Sequence, residues 1–261
     1  MKQPITLALM ALAASATLAH AEEWTKEWNT GQQATIHVDT NDGSVSVEAT
    51  DGDRIEAKII TRGYTIGSSG VRITEHQYGP RVDLIVKLPS QWMSFGEHSV
   101  KIELRVPVQT SPDIHTGDGS IRIHGVHGQV RVHTGDGSVQ GDELDGRIEA
   151  TSGDGSLHLD GRFDGVSLRT GDGSVEFRAR TGSHVGDEWR IQTGDGSVKV
   201  RLPQDLSANV DAHTNDGSIS SDLPLTTEGH THQHELRGKL NSGGPEVVVR
   251  TGDGSIRIER S

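Results

Sequence analysis

HTGDGSIRIHGVHGQVRVHTGDGSVQGDELDGRIEATSGDGSLHLDGRFDGVSLRTGDGSVEFRARTGSHVGDEWRIQTGDGS, residues 115 to 197, decides the fold. Within it Thr-Gly-Asp-Gly-Ser centres on Asp118, Asp136, Asp172 and Asp195, and Ser-Gly-Asp-Gly-Ser on Asp154. The first three intervals are 18 residues each (136−118, 154−136, 172−154) and the next is 23 (195−172). Outside the stretch the phrase recurs around Asp253 and, with Asn in place of the first Gly, around Asp42 and Asp216. A period of about 20 residues is the mark of stacked supersecondary units.

Aligning the eight copies on their aspartate exposes the strands. Four residues before it stand Val38, Ile114, Val132, Ala150, Leu168, Ile191, Ala212 and Val249, all apolar. Three residues after it stand Val45, Ile121, Val139, Leu157, Val175, Val198, Ile219 and Ile256, again all apolar. Polar residues fill the places between, among them His115, His133 and Arg169 before the turn and Arg122, Gln140 and His158 after it. Period-two alternation on both sides of a turn is the strand signal. Each unit has one narrow apolar face, so it must stack on its neighbours to bury it. A second turn signal follows at Gly125 to Gly128, Asp145-Gly146 and Asp164-Gly165, so one coil holds at least two strands and two corners. A sandwich of hairpins is the competing arrangement, since Asp-Gly also favours tight hairpin turns. Sandwich strands give no reason to keep one phrase in one register eight times. The expected fold is all-β: a single-domain β-solenoid, right-handed and parallel β-helix-like, with about 18–22 residues per coil. No substantial helix is expected after the first 21 residues.

Three runs carry a resemblance: ATIHVDTNDGSVSV (34 to 47), LRVPVQTSPDIHTGDGSIRIHGVHGQVRVHTGDGS (104 to 138) and GKLNSGGPEVVVRTGDGSIRI (238 to 258). Together they resemble the bacterial putative-adhesin β-helix family, a domain of unknown function, over nearly all the chain after residue 33. The order of the motifs is what is specific, with Val-Pro before the first regular coil and Gly-Gly-Pro before the last. The resemblance implies an exported β-helix with an adhesive role, and brings no catalytic residues.

Met1-Lys2, the apolar run Ile5 to Leu18 and Ala19-His20-Ala21 form a secretory signal peptide with cleavage after Ala21. The chain has no cysteine, hence no lipid-attachment thiol and no disulfide. No second long apolar run follows, so no transmembrane segment is expected after cleavage, and the location is periplasmic or extracellular. Losing Lys2 takes the formal charge from −12 to −13, with 24 basic against 37 acidic residues. Such a surface repels phosphate backbones, making nucleic acid and bare anionic lipid poor partners, and suits cations, basic proteins or neutral glycans; the expected partner is an envelope protein or a glycan.

Three segments follow the signal peptide. Residues 22 to 33, with Trp24 and Trp28, form a leader or an end cap; residues 34 to 113 form irregular coils; residues 114 to 261 form regular ones. The 76 residues from Asp42 to Asp118 correspond to about four coils, and the 37 from Asp216 to Asp253 to two. The loop Leu88 to His98 carries Trp92, Met93 and Phe95, which either fold back over the flank or form a contact patch.

Candidate chemistry is confined to columns. Asp118, Asp136, Asp154 and Asp172 stack into a ladder, their repulsion offset by bonds to each turn's own backbone with flanking glycines at positive φ, or by calcium. The threonine column two residues before the aspartate shares the inward parity, so it lines the corner and bonds between coils. His230, His232 and His234 alternate and would share one side of an extended chain, a metal-ligand pattern without a carboxylate or cysteine partner. Asp142 and Asp160 occupy one column and would suit a glycosidase pair if they stacked about 5 Å apart. Aromatic platforms for sugars are almost absent. The sequence therefore points to a non-enzymatic envelope scaffold without a cofactor, with a glycan-active lyase or hydrolase as the alternative.

Overall fold

The computed structural model describes residues 21–89, 98–226 and 233–261, and every element among them is a strand or turn. The first seven strands are β1 (Ala21–Asn29), β2 (Gln33–Thr40), β3 (Ser44–Thr50), β4 (Arg54–Arg62), β5 (Arg72–Tyr78), β6 (Arg81–Lys87) and β7 (Ser99–Pro107). The regular stretch contributes β8 (Gln109–Thr116), β9 (Ile121–His124), β10 (His127–Thr134), β11 (Val139–Ser152), β12 (Leu157–Thr170) and β13 (Val175–Ala179). Then come β14 (Trp189–Thr193), β15 (Val198–Leu202), β16 (Ala208–Thr214), β17 (Ile219–Ser221), β18 (Glu235–Leu240), β19 (Glu246–Thr251) and β20 (Ile256–Arg260).

All twenty strands belong to one sheet of mixed direction. It folds into two parallel ladders joined where the 14-residue strands β11 and β12 pass from one to the other. Val139 pairs with Ile121 on one side and Leu157 on the other, as a stack of coils in register demands. The alternation places one side chain in two inward on each ladder, and the inner faces meet: the Phe177 ring lies 5.2 Å from Phe163 and 5.7 Å from Trp189. Trp189 is fully buried, as are Phe163 and Phe177. At about 1.5–3 kcal/mol for each large apolar side chain buried, a narrow lining repeated over eight coils is an adequate core.

The coils do not stack in chain order. Before the turn the apolar column runs Val38, Ile114, Val132, Ala150, Leu168, Ile191, Val249, Ala212. After the turn it runs Val45, Ile121, Val139, Leu157, Val175, Val198, Ile256, Ile219. The coil of Asp42 rests directly on that of Asp118, and the coil of Asp253 is inserted between those of Asp195 and Asp216. The expectation of about four coils between Asp42 and Asp118 is thus corrected. That interval instead supplies β6 and β7, which form a coil outside the first, and the antiparallel strands β4 and β5. The 37 residues from Asp216 to Asp253 likewise supply β18, antiparallel to β16, rather than a skipped coil. Segments without a turn phrase flank the stack: β6 and β7 outside the coil of Asp42, and β18 outside β16.

At one end β1 pairs with β4, antiparallel, from Ala21 to Asn29. Trp28 is buried there and Trp24 packs on the core, with ring centroids 6.2 Å apart. An antiparallel strand bearing Lys26 and Glu27 is a poor template for a further strand, which guards the edge.

Candidate functional site

The corners are held from inside. The hydroxyl of Thr134 is shared between the carbonyls of Gly117 (3.1 Å) and Gly119 (3.0 Å) in the rung before, and accepts the N–H of Gly137 in its own turn (3.2 Å). Ser152, Thr170, Thr193, Thr251 and Thr214 repeat the outward pair of bonds down the stack. These hydroxyls are buried, so the threonine column lines the corner and ties coil to coil. Backbone bonds between successive corners run beside them: Gly135 donates to Gly117, Gly153 to Gly135 and Gly171 to Gly153, each at 2.5 Å.

Two expectations for the turn are corrected. A side-chain bond from the aspartate to its own turn appears at Asp42 alone among the described residues, where Gly43 N–H donates to Oδ1 at 2.5 Å. At four other corners, those of Asp136, Asp154, Asp195 and Asp253, the buried hydroxyl does that work. Of the phrase glycines only Gly43 has a positive φ (114°). The others are glycine because the next rung is too near for a side chain: a Cβ on Gly137 would lie 2.1 Å from the Gly119 carbonyl oxygen, and one on Gly155 2.0 Å from that of Gly137.

All eight phrase aspartates are exposed, and all but Asp42 are free of the turn. They form a continuous line in the order Asp42, Asp118, Asp136, Asp154, Asp172, Asp195, Asp253, Asp216, about 4.8 Å from rung to rung. The serine two residues on accompanies each; Ser138, Ser156, Ser174, Ser197, Ser255 and Ser218 are exposed, and Ser44 and Ser120 half-buried. A shallow groove runs beside this hydroxyl line, lined by Ser156, Ser174, Ser197 and Ser255 together with His158 and Lys199. No group of three His, Cys, Asp or Glu among the described residues is arranged to hold a metal ion.

Asp142 and Asp160 are not register partners. Pairing of β11 with β12 breaks between Gly141 and Leu144, where Glu143 sits in the left-handed region (φ 56°). Asp142 lies opposite His124 and Asp160 opposite Arg178. Asp142 accepts a hydrogen bond from Gln140 (3.0 Å). Asp160 is only 8% exposed and sits between Arg178 (3.6 Å) and Arg180, whose guanidinium meets Oδ1 at ion-pair range without hydrogen-bond alignment. Removing both arginines would strand this buried carboxylate, a change that typically costs about 3–5 kcal/mol. Trp92, Met93 and Phe95, and likewise His230 and His232, lie outside the described residues. His234 is half-buried with its Nδ1 unpartnered.

Several polar clusters escaped the column reading. Asp113 bridges His37 and His115, at 3.2 Å to each, and the His115 ring lies 5.8 Å from His37 and from His133. His37 and Asp113 each stand five residues before a phrase aspartate, so that column carried the signal. Asp211 accepts two hydrogen bonds from Arg250 (3.0 and 2.7 Å) and faces Arg237 at 3.5 Å. Burial pushes its carboxyl up, and the Arg250 bonds, then the Arg250 and Arg237 charges, more than reverse this, so it titrates below the ordinary 3.8. Glu259 follows the same pattern: burial raises it, and Lys199 and Arg201 bring it below 4.5. The Lys26 hydrogen bond lowers Glu75 against the rise from burial. Carboxyls depressed on folding contribute stability above their unfolded values and lose it as pH falls through the folded ones. Thermal midpoints are therefore expected to stay level near neutrality and to fall below about pH 4.5. Arg250→Met should flatten that acid limb; an unchanged limb would show that Asp211 is not a contributor.

Comparison with known proteins finds a family model that matches part of the chain. Residues 162–259 match the Toastrack family DUF4097, which is 98 (259−162+1) of the 261 residues. The matched segment begins within β12 and includes the inserted coil β19–β20. No curated protein matches the sequence. Among solved structures, a "putative cell adhesion protein" from Clostridium sporogenes is 14% identical, covering 93% of this chain and 100% of that one at a TM-score of 0.45. A "putative adhesin" from Parabacteroides merdae is 11% identical, with coverage of 92% and 96% and a TM-score of 0.40. A "putative lipid binding protein" from Parabacteroides distasonis is 12% identical, with coverage of 93% and 98% and a TM-score of 0.38. At these TM-scores the likenesses assign nothing to individual residues of this chain.

Proposed function

We propose, from the premise that this chain carries a Toastrack domain of unknown function over residues 162–259, that it is an exported, non-enzymatic β-solenoid that binds an envelope protein or glycan along its Asp–Ser edge. The coils are taken as right-handed, the sense that parallel crossover connections adopt in nearly all sheets. Export rests on the N-terminal pattern of Lys2, the apolar run and Ala19-His20-Ala21.

One observation carries the reading. Eight corners present the same exposed carboxylate, six of them beside an exposed hydroxyl, one after another along the stack. Seven of the eight neither brace their own turn nor pair with a cation, Asp42 being the exception, and such acidic side chains are costly neighbours, each adjacent pair opposing the fold by about 1 kcal/mol in water. Asparagine would fill the same exposed place without that repulsion. A line of negative charge kept on a rigid frame is suited to an extended partner that meets many rungs at once, where modest contacts add up.

The test is a binding screen of the mature chain against envelope polysaccharides and envelope proteins. It is paired with a variant carrying Asp136→Asn, Asp154→Asn, Asp172→Asn and Asp195→Asn. Binding is expected to fall at least about tenfold in the variant, and to weaken with salt in the wild type, with the melting profile retained. Equal binding by the two proteins would place the contact away from this edge.

A further inference from the structure

Asn-Asp-Gly-Ser occurs twice, at Asn41–Ser44 and at Asn215–Ser218, and the two copies stand at opposite ends of the line of corners. Their covalent chemistry is identical; their surroundings are not. At Asn215–Ser218 the Thr214 hydroxyl reaches back to the carbonyls of Gly252 (3.2 Å) and Gly254 (2.8 Å), as in the interior rungs. At Asn41–Ser44 the outer neighbour is the coil of β6 and β7, which carries no Gly-Asp-Gly corner. There the Thr40 hydroxyl bonds the carbonyl of Asp42 in its own turn, at 2.5 Å.

The consequence falls on the next amide. In four other corners the glycine after the aspartate gives its N–H to the rung's own hydroxyl: Gly137 to Thr134, Gly155 to Ser152, Gly196 to Thr193 and Gly254 to Thr251. In the exposed turn at Asp51 the Gly52 N–H is taken by the Thr50 carbonyl. Gly43 gives its N–H to the carboxylate of Asp42, the one Asp-Gly pair among the described residues so bonded.

We propose that Asp42 is a site of spontaneous backbone isomerisation through a succinimide, and that the fold directs this chemistry to Asp42 in preference to the other phrase aspartates. The Gly43 nitrogen is 2.5 Å from Oδ1. Since a C–O bond adds about 1.2 Å, the nitrogen lies no more than about 3.7 Å from Cγ, close to a near-attack separation. The nitrogen of Gly43 bonds to Cγ and the Cγ–Oδ bond breaks. That oxygen departs as water, with the amide proton and one proton from solvent. Water then opens the ring at either carbonyl, restoring aspartate or leaving isoaspartate, whose main chain runs through Cβ and Cγ. No oxidant or cofactor enters. The product adds one methylene to the corner on which Gly119 rests, where a Cβ on Gly119 would already lie 1.8 Å from the Gly43 carbonyl oxygen. Isomerisation therefore loosens the first rung from the second.

The repeated tetrapeptide supplies the control. Folded mature chain is held at physiological temperature and neutral pH, and isoaspartate at residues 42 and 216 is quantified by electron-transfer mass spectrometry of the digest. Accumulation at Asp42 is expected to be on the order of tenfold faster than at Asp216. In urea the two rates should converge, because the flanking residues are the same. Asp42→Glu should abolish the signal at 42 and leave that at 216 unchanged. Equal rates in the folded protein, a faster rate at Asp216, or a preference for Asp42 that persists in urea would each overturn the proposal.

Discussion

Removing residues 246–261 is expected to abolish the folded state rather than shorten the stack by one coil. In a solenoid stacked in chain order, the last coil contributes one interface, and trimming it costs a single nearest-neighbour increment. Here β19 lies between β14 and β16, and β20 between β15 and β17. Deletion removes Val247, Val249, Ile256 and Ile258, all buried. It also leaves Asp211 without Arg250 and strands the coil of β16 to β18 with nothing to dock on. Four large apolar side chains at about 1.5–3 kcal/mol each come to about 6–12 kcal/mol, the size of a whole domain's stability of about 5–15 kcal/mol. Circular dichroism melts of chains 22–245 and 22–261 decide it. A cooperative transition in the shorter chain within a few degrees of the longer would show that the inserted coil is not what holds that end.

Gly155→Ala should be among the most damaging single substitutions available. The new Cβ would stand 2.0 Å from the Gly137 carbonyl oxygen and 2.4 Å from its carbon. Neither is the movable end of a side chain. Both rungs are pinned there, by Gly153 N–H on Gly135 (2.5 Å) and Ser152 on Gly137 (2.9 Å). Relief requires spreading the rungs, which breaks those bonds and opens the lining at Leu157 beneath. A loss of about 4 kcal/mol or more is expected, in the exceptional tail of single substitutions. Gly52→Ala, whose nearest neighbour would be 3.7 Å away, should change stability by no more than about 0.5 kcal/mol. Urea denaturation at constant slope measures both. Equal effects would mean that close approach between corners is not why glycine occupies the phrase.

The difference between these two glycines was not visible in the sequence, where Asp51-Gly52 and Asp154-Gly155 look alike and suggest a positive φ for both. What separates them is the distance to another chain segment, which turn chemistry alone does not contain. Side-chain parity along a strand has the same limit. It placed Thr134 inward and His115 beside His133, because parity along a strand is a local property. It placed Asp142 level with Asp160, because counting residues cannot see the bulge at Glu143 that breaks the register.

By itself the sequence determined the strands, the two corners of each coil, the inward columns and the register of Val139 between Ile121 and Leu157. All follow from periodicity two within a strand and a repeat of 18 residues between strands. Only the tertiary structure decided which coil lies next to which. One apolar rung fits above or below any other, so side-chain pattern does not distinguish Ile114 from Leu84, which flank Val38 on its two sides, as the neighbour in chain order. The order was settled by the segments without a turn phrase, β4 to β7 and β18, whose antiparallel strands close the stack and bring the first and last coils one place in from its ends.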